Sequence, residues 1–377
     1  LVALVVARAA LPAAAGRPPP VISASAAVLI EWHSGALLWE KRGLAPRHPA
    51  SLTKVATALV AAQAGELSDV VPVSVRAAAV PGSTMGLSSG ERYTLENLIW
   101  ALLLASANDA GIAIAEHVGG SLEGFAALMN ATAHQLGAWN SSFRNPHGLT
   151  QCGHYASPYD LALFSRELLS HPFLSRVVAA RTAVVRREAP PGQLALANTN
   201  RLLLSFHGAD GIKTGTTTAA GACLIASASR GELRLIAVVM DSRDRYADAR
   251  ALLEYGFSHF RLAWGGRAGQ VVRTVPVAGG SPAMLPLVLA ADLVGVVTAG
   301  EREWWVEVDY EDQVAAPVPP GTPLGTATLR THHRLIARVP IVAPYGVSRV
   351  TWWRRWLAAY HRVVREVLAG PGVHHGP

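Results

Sequence analysis

At 377 residues, half of them hydrophobic, the chain is long enough for two domains, or for one large domain with an appendage, around a sizeable core. Its 33 basic and 26 acidic residues give a formal charge of +7, which suits an anionic surface or polymer. That charge comes with no nucleic-acid recognition motif and no HExxH or clustered His/Cys pattern, so neither nucleic-acid binding nor a metal or other cofactor is expected. The two cysteines, Cys152 and Cys223, match no metal spacing, and Cys223 in its apolar run reads as a small core residue.

In chain order, residues 1–18 read as an export signal, with Ala13–Ala15 as the small-residue cleavage pattern; a disordered Ala/Pro-rich leader is the alternative. Residues 22–41 read as two strands around a turn at His33–Gly35. A helix follows from Ser51 to about Ala64, stopped by Gly65, and another covers 94–104. A third helix starts after Asn108, which is placed as its N-cap, and further helices are expected at 121–136 and 158–170. "GACLIASASRGELRLIAVVMDS" reads as an antiparallel hairpin turning at Arg230–Gly231, and "YADARALLEYGFSHF" as a closing helix. Strands, then helices, then strands predict an α+β domain over 19–264 whose sheet pairs early and late segments.

Gly265–Gly266 mark a boundary. Short alternating runs over 265–346 predict a small all-β domain without a catalytic constellation, and the paired His332 and His333 read as exposed strand-end residues. The final segment, 349–370, predicts an amphipathic helix. Trp353, Trp356, Leu357, Tyr360, Val363, Val364, Val367 and Leu368 share one face, opposite Arg354, Arg355, His361, Arg362, Arg365 and Glu366. That division fits a helix lying on an anionic membrane surface; a helix docked on its own protein is the alternative.

Only three of the 33 basic residues are lysine: Lys41, Lys54 and Lys213. An arginine stays protonated, whereas a buried lysine can lose its proton and serve as a base. "PASLTK" sets Ser51 and Lys54 three apart at a helix start, on one face. A serine hydroxyl attacks well only when a neighbouring base takes its proton, and a lysine of depressed pKa can be that base. Ser106-Ala107-Asn108 follows an apolar helix, and Lys213-Thr214-Gly215 enters a strand. Each pattern is weak alone; the three in this order are strong. Lys41, in a turn after a strand, reads as ordinary surface.

With these three motifs, and with "FRNPHGLT", "DGIKTGTTTAAGACLIASA" and "LLEYGF", the chain from about residue 22 to 262 resembles the penicillin-recognising serine peptidases. Within them it is similar to the low-molecular-mass D-alanyl-D-alanine carboxypeptidases, whose accessory parts the β-rich domain and amphipathic tail also match. The resemblance implies a β-lactamase/transpeptidase-like domain, an antiparallel sheet flanked by helices. It implies an exported enzyme on the outer face of the cytoplasmic membrane, with peptidoglycan pentapeptide stems as substrates and β-lactams as covalent inhibitors.

It also implies roles. Ser51 is the nucleophile and Lys54 its base, while Ser106 relays a proton to the leaving nitrogen. Asn108 orients Lys54 and holds the substrate amide, and Lys213 and Thr214 face the terminal carboxylate. Gly215 leaves room for the substrate backbone, and the N–H groups of Ser51 and Thr216 form an oxyanion hole. Arg245 matches a position suited to the substrate carboxylate, with a surface arginine near a helix start as the equal alternative. His147 borders the site as a structural residue. A serine β-lactamase shares the three motifs but would need Glu-x-x-Leu-Asn, and Glu167, followed by "LLS", lacks the Asn. A catalytically silent penicillin-binding module is the remaining alternative.

Overall fold

The computed structural model describes residues 18–350 together with 360, 361 and 363–365. The expected export signal and most of the expected 349–370 helix therefore lie outside the described residues. Two compact units are present, one running to Leu262 with Thr298–Gly300, the other comprising Ala263–Val297 and Glu301 onward.

The first unit opens with the expected hairpin, β1 (Ala26–Glu31) and β2 (Leu37–Lys41). A 3₁₀ turn at Ala50–Leu52 runs into α1 (Thr53–Ala64), which ends at Gly65. Next come β3 (Val70–Pro72), α2 (Val75–Ala78), β4 (Arg92–Thr94), α3 (Leu95–Leu104), α4 (Asn108–Gly119) and α5 (Leu122–Gln135). The Thr94 and Ser121 hydroxyls accept the N–H groups of Asn97 and Gly124, satisfying donors that α3 and α5 leave open at their starts. After α6 (Pro158–Ser170) and α7 (Pro172–Ala179) come the hairpin β5 (Thr182–Ala189) and β6 (Gly192–Ala197), then α8 (Leu202–Ser205). The unit closes with β7 (Ala209–Thr217), β8 (Gly221–Arg230), β9 (Leu233–Ser242) and α9 (Arg245–His259).

The main sheet has the order β2-β1-β9-β8-β7, antiparallel throughout, with Val28 opposite Val238 and Leu29 opposite Ala237. Early and late segments pair as the order of elements predicts. Every residue of β1 is buried: Ala26–Ile30 are apolar because the strand is covered on both faces, and the Glu31 carboxylate at its end accepts the N–H groups of His33 and Ser34. α6 packs on β1 and β9, and α9 on β8 and β9. Phe125, Phe143 and Phe164 are fully buried in the core that joins the helices to the sheet. β7 is left as an edge strand.

Two local expectations are corrected. Asn108 is not the N-cap of α4; Ala107 takes that place without a capping bond, and the Asn108 side chain is engaged elsewhere. Lys41 is not ordinary surface, since its ammonium donates to the carbonyls of Ile22 and Ala24 and ties down the segment before β1. A second sheet, β3-β4-β5-β6, has strands too short or too exposed to give a sequence pattern.

The second unit is all β among its described residues up to Val350: β10 (Phe260–Gly266, whose first three residues belong to the first unit), β11 (Val271–Ala278), β12 (Gly280–Ser281), β13 (Met284–Leu289), β14 (Leu293–Thr298, whose last residue belongs to the first unit), β15 (Trp305–Tyr310), β16 (Val314–Ala315), β17 (Pro323–Arg330), β18 (Leu335–Val342) and β19 (Ser348–Arg349). Its principal sheet has the order β15-β17-β18-β13-β11-β16, over a core that includes Leu285, Leu287, Ala327, Leu329 and Ile341. His332 and His333 are exposed beyond the end of β17, as expected. No helix among the described residues is long and apolar enough to cross a membrane.

Candidate active site

Ser51 lies in the 3₁₀ turn rather than in α1, so its backbone faces a neighbouring segment on each side. The preceding Ala50 takes a left-handed φ of 47°. Gly148 (φ 89°) approaches so closely that a Cβ there would lie 1.8 Å from the Ala50 carbonyl oxygen. From β7, a Cβ on Gly215 would come within 2.9 Å of the Ser51 nitrogen. A side chain at Gly215 would therefore press on the backbone of the nucleophile's own turn.

Three residues on, Lys54 is fully buried. Its Nζ donates to Ser51 Oγ at 3.0 Å, Asn108 Oδ1 at 2.7 Å and the His147 carbonyl at 2.8 Å. An ammonium has three hydrogens, so this set uses all of them. Burial pushes the Lys54 pKa well below the ordinary lysine range, the Lys213 charge pushes it the same way, and Asp109 pulls against both. Lys213 is also buried and is lowered to about 7, by burial and then by Arg245. Among the described residues its ammonium meets one hydrogen-bond acceptor, the Thr214 carbonyl at 3.1 Å.

The remaining expected residues converge here with differences of detail. Asn108 Nδ2 donates to the Pro81 carbonyl and its backbone N–H to Ser83, tying α4 to the 81–87 loop. Thr214 Oγ1 shares a 2.7 Å hydrogen bond with Thr199 Oγ1. Arg245 reaches the end of β7, where Nη1 donates to the carbonyls of Gly215 and Cys223 and Nη2 to Thr216 Oγ1. Arg245 is half-buried and opens α9. Ser106, on the turn between α3 and α4, has a left-handed φ of 61° and is buried, but it is not one of the three acceptors around Lys54.

Several contributors were not visible as chemistry in the sequence. The His147 carbonyl, not its ring, meets Lys54; burial, Lys54 and His154 lower the ring's pKa to about 3, so it is neutral. The loop carrying it is held to α1 by Thr57 Oγ1 on the Pro146 carbonyl and by Thr53 Oγ1 on His154 Nε2. The carboxylate of Asp109 accepts the N–H groups of Met85, Gly86 and Leu87. "FRNPHGLT" was the only signal pointing to any of these, and a backbone acceptor leaves no mark on residue type. Cys152 and Cys223 are both free thiols. Among the described residues no cluster of three or more His, Cys, Asp or Glu could hold a metal ion.

Residues 13–244 match the family model described as D-alanyl-D-alanine carboxypeptidase. The chain belongs to this family. Residues 267–349 match the model of the penicillin-binding protein 5 C-terminal domain. The D-alanyl-D-alanine carboxypeptidase DacF of Bacillus subtilis is 35% identical over 336 residues, 86% of either chain. DacC of Escherichia coli is 32% identical over 349 residues, 87% of this chain and 85% of that protein. Among solved structures, penicillin binding protein 5 from Haemophilus influenzae superposes with a TM-score of 0.76 at 27% identity, covering 89% of this chain and all of that one. In this family context the fold is the expected transpeptidase-like domain followed by a β domain.

Proposed function

We propose that the protein is a serine-type D-alanyl-D-alanine carboxypeptidase, which removes the terminal D-alanine of peptidoglycan stem peptides through an acyl-enzyme on Ser51. The observation that carries this reading is the 3.0 Å contact between Ser51 Oγ and the buried Lys54 Nζ, in the field of Lys213. A neutral Lys54 takes the hydroxyl proton as Oγ bonds to the D-Ala-D-Ala carbonyl carbon. The oxyanion is then met by the Ser51 and Thr216 N–H groups, and collapse expels D-alanine, whose nitrogen gains a proton. Water attacks the ester to release the shortened peptide and regenerate Ser51.

Asn108 and the His147 carbonyl fix the Lys54 amine, so that its lone pair is turned to Ser51 when a proton leaves. Ser106, outside that hydrogen-bonded set, is the group we assign to deliver the proton to the leaving nitrogen. Lys213 has donors left for the terminal carboxylate, with Thr214 beside it. Arg245 adds positive charge to the same end and holds one carbonyl each of β7 and β8. Its bonds to the strand support a positioning role together with attraction of the carboxylate.

Export and a peripheral position on the outer face of the cytoplasmic membrane complete the proposal. Support for a surface helix is the division of 349–370 into apolar and basic faces. Of its described residues, Tyr360 and Val363 are 53% and 57% exposed. The test of function is release of D-alanine from a peptide ending in D-Ala-D-Ala, with a penicillin adduct mapped by mass. Persistent labelling at Ser51 and loss of release in Ser51→Ala are expected. An adduct on another serine would overturn the assignment, and rapid penicillin turnover without an adduct would favour a β-lactamase.

A further inference from the structure

A cavity of about 340 Å³ lies where the segments carrying Ser51 and Thr216 continue past the catalytic groups. One wall is Arg47 and His48, just before the 3₁₀ turn; another is Ala219 and Ala220, just after β7; Tyr155 and Asp241 complete it. Arg47 is half-buried, and its Nε has no hydrogen-bond partner among the described residues. The Asp241 carboxylate receives the Ser25 hydroxyl on one oxygen. Arg47, Arg245 and Asp241 all act electrostatically on Cys223, which stands opposite Gly215 in the β7–β8 ladder. Ala219 and Ala220 follow the end of β7 at Thr217, so the cavity adjoins the end of the strand away from Lys213.

On the carboxypeptidase reading, on which this inference rests, the substrate's terminal carboxylate lies toward Lys213, and the chain upstream of D-Ala-D-Ala runs along β7 toward Thr217 and Ala219. We infer that this cavity is a subsite for the side chain of the stem residue preceding D-Ala-D-Ala, and that it takes a side chain ending in both an ammonium and a carboxylate. Arg47 would bind the carboxylate through its fork of donors, and Asp241 the ammonium, with the Tyr155 hydroxyl and His48 at the rim. A side chain ending in an amine alone, such as lysine, satisfies Asp241 but leaves the Arg47 donors unmet. A buried donor without an acceptor is how a site rejects a ligand lacking one group. The enzyme should thus prefer a diamino diacid at that position over lysine.

The experiment compares kcat/KM for D-alanine release from two pentapeptides that differ only at the third residue, one a diamino diacid and the other lysine. A charge-assisted hydrogen bond corresponds to a preference of about tenfold or more for the diacid. Arg47→Gln should bring the ratio close to one. Asp241→Asn keeps a residue type that tolerates the φ of 53° found there; it should slow both peptides and leave their ratio in place. Circular dichroism and thermal unfolding establish that each variant is folded. If Arg47→Gln does not fold, Arg47→Lys, which keeps the charge but loses the fork, should reduce the ratio partway. An active wild type with a ratio near one, or a ratio untouched in a folded Arg47 variant, overturns the subsite while leaving the carboxypeptidase reading intact. No D-alanine release from either peptide overturns both.

Discussion

Replacing Gly215 with alanine tests the placement of Ser51 more sharply than removing Ser51 itself. The added Cβ would sit 2.9 Å from the Ser51 nitrogen, 3.2 Å from Ala50 Cβ and 3.2 Å from the Leu52 nitrogen. Ordinary contacts of this kind begin near about 3.4 Å, so the turn and β7 must separate by roughly half an ångström. The turn cannot retreat freely, because Gly148 presses on the Ala50 carbonyl from the other side. The edge strand β7 can yield, but Thr216 moves with it. Either way Ser51 shifts relative to Lys54, now 3.0 Å away, or to the Thr216 N–H. A misplacement of about 1 Å can cost a hundredfold in rate, so half of that corresponds to about tenfold. The assay is the second-order rate of acylation by a fluorescent penicillin, measured with the thermal unfolding midpoint. Acylation should fall about tenfold or more, while the midpoint drops only a few degrees, as for a loss of about 1 kcal/mol. Acylation within twofold of the parent would refute the reasoning.

Lys54→Arg keeps the charge but loses the base, and should cut acylation by about a hundredfold or more, whereas Lys213→Arg should retain more activity; stopped-flow acylation rates compare them. Activity requires neutral Lys54, so kcat/KM rises as pH climbs through its folded pKa. The Lys213 charge lowers that pKa, so Lys213→Gln should move the acid limb of the pH profile to higher pH, and an unmoved limb would count against the coupling. Lys213 holds fewer protons folded than unfolded between its folded pKa of about 7 and its ordinary 10.5. Its contribution to stability therefore grows as pH rises through that window, and urea titrations should show a flatter pH slope in Lys213→Met. Full-length protein should co-sediment with anionic liposomes and a chain ending at Ser348 should not, each basic residue near the surface adding about 1 kcal/mol of attraction. Equal sedimentation would return the tail to a helix docked on its own protein.

The fold was legible where periodicity is long. The central hairpin β8–β9 and helices α1, α3, α4, α5 and α6 all carry apolar patterns over ten residues or more, and the short alternating runs after Gly265 gave the β domain. The β3–β6 sheet was not legible, because a three-residue strand such as β3 has too few positions to alternate. In the site, Ser51, Lys54 and Lys213 could be read because their residue types bear the chemistry. For Asn108 the contact with Lys54 that the resemblance implies is present, whereas the capping rule that an Asn before a helix satisfies is one its side chain does not obey here. Gly215 was recognised, but its neighbour could not be, because which chain fills the space above a glycine is a tertiary fact. The His147 carbonyl belongs to the backbone and was invisible for that reason.

The three acceptors around Lys54 come from the 3₁₀ turn, the start of α4 and the loop at 147, which lie up to 93 positions from Lys54 in sequence. Until all three are docked, residue 51 is an ordinary alcohol beside a solvated ammonium. A partly folded chain is therefore chemically silent, and reactivity arrives only with the finished tertiary structure. Covalent labelling by a β-lactam then counts correctly assembled molecules, which makes one chemical step a census of folding across the first unit.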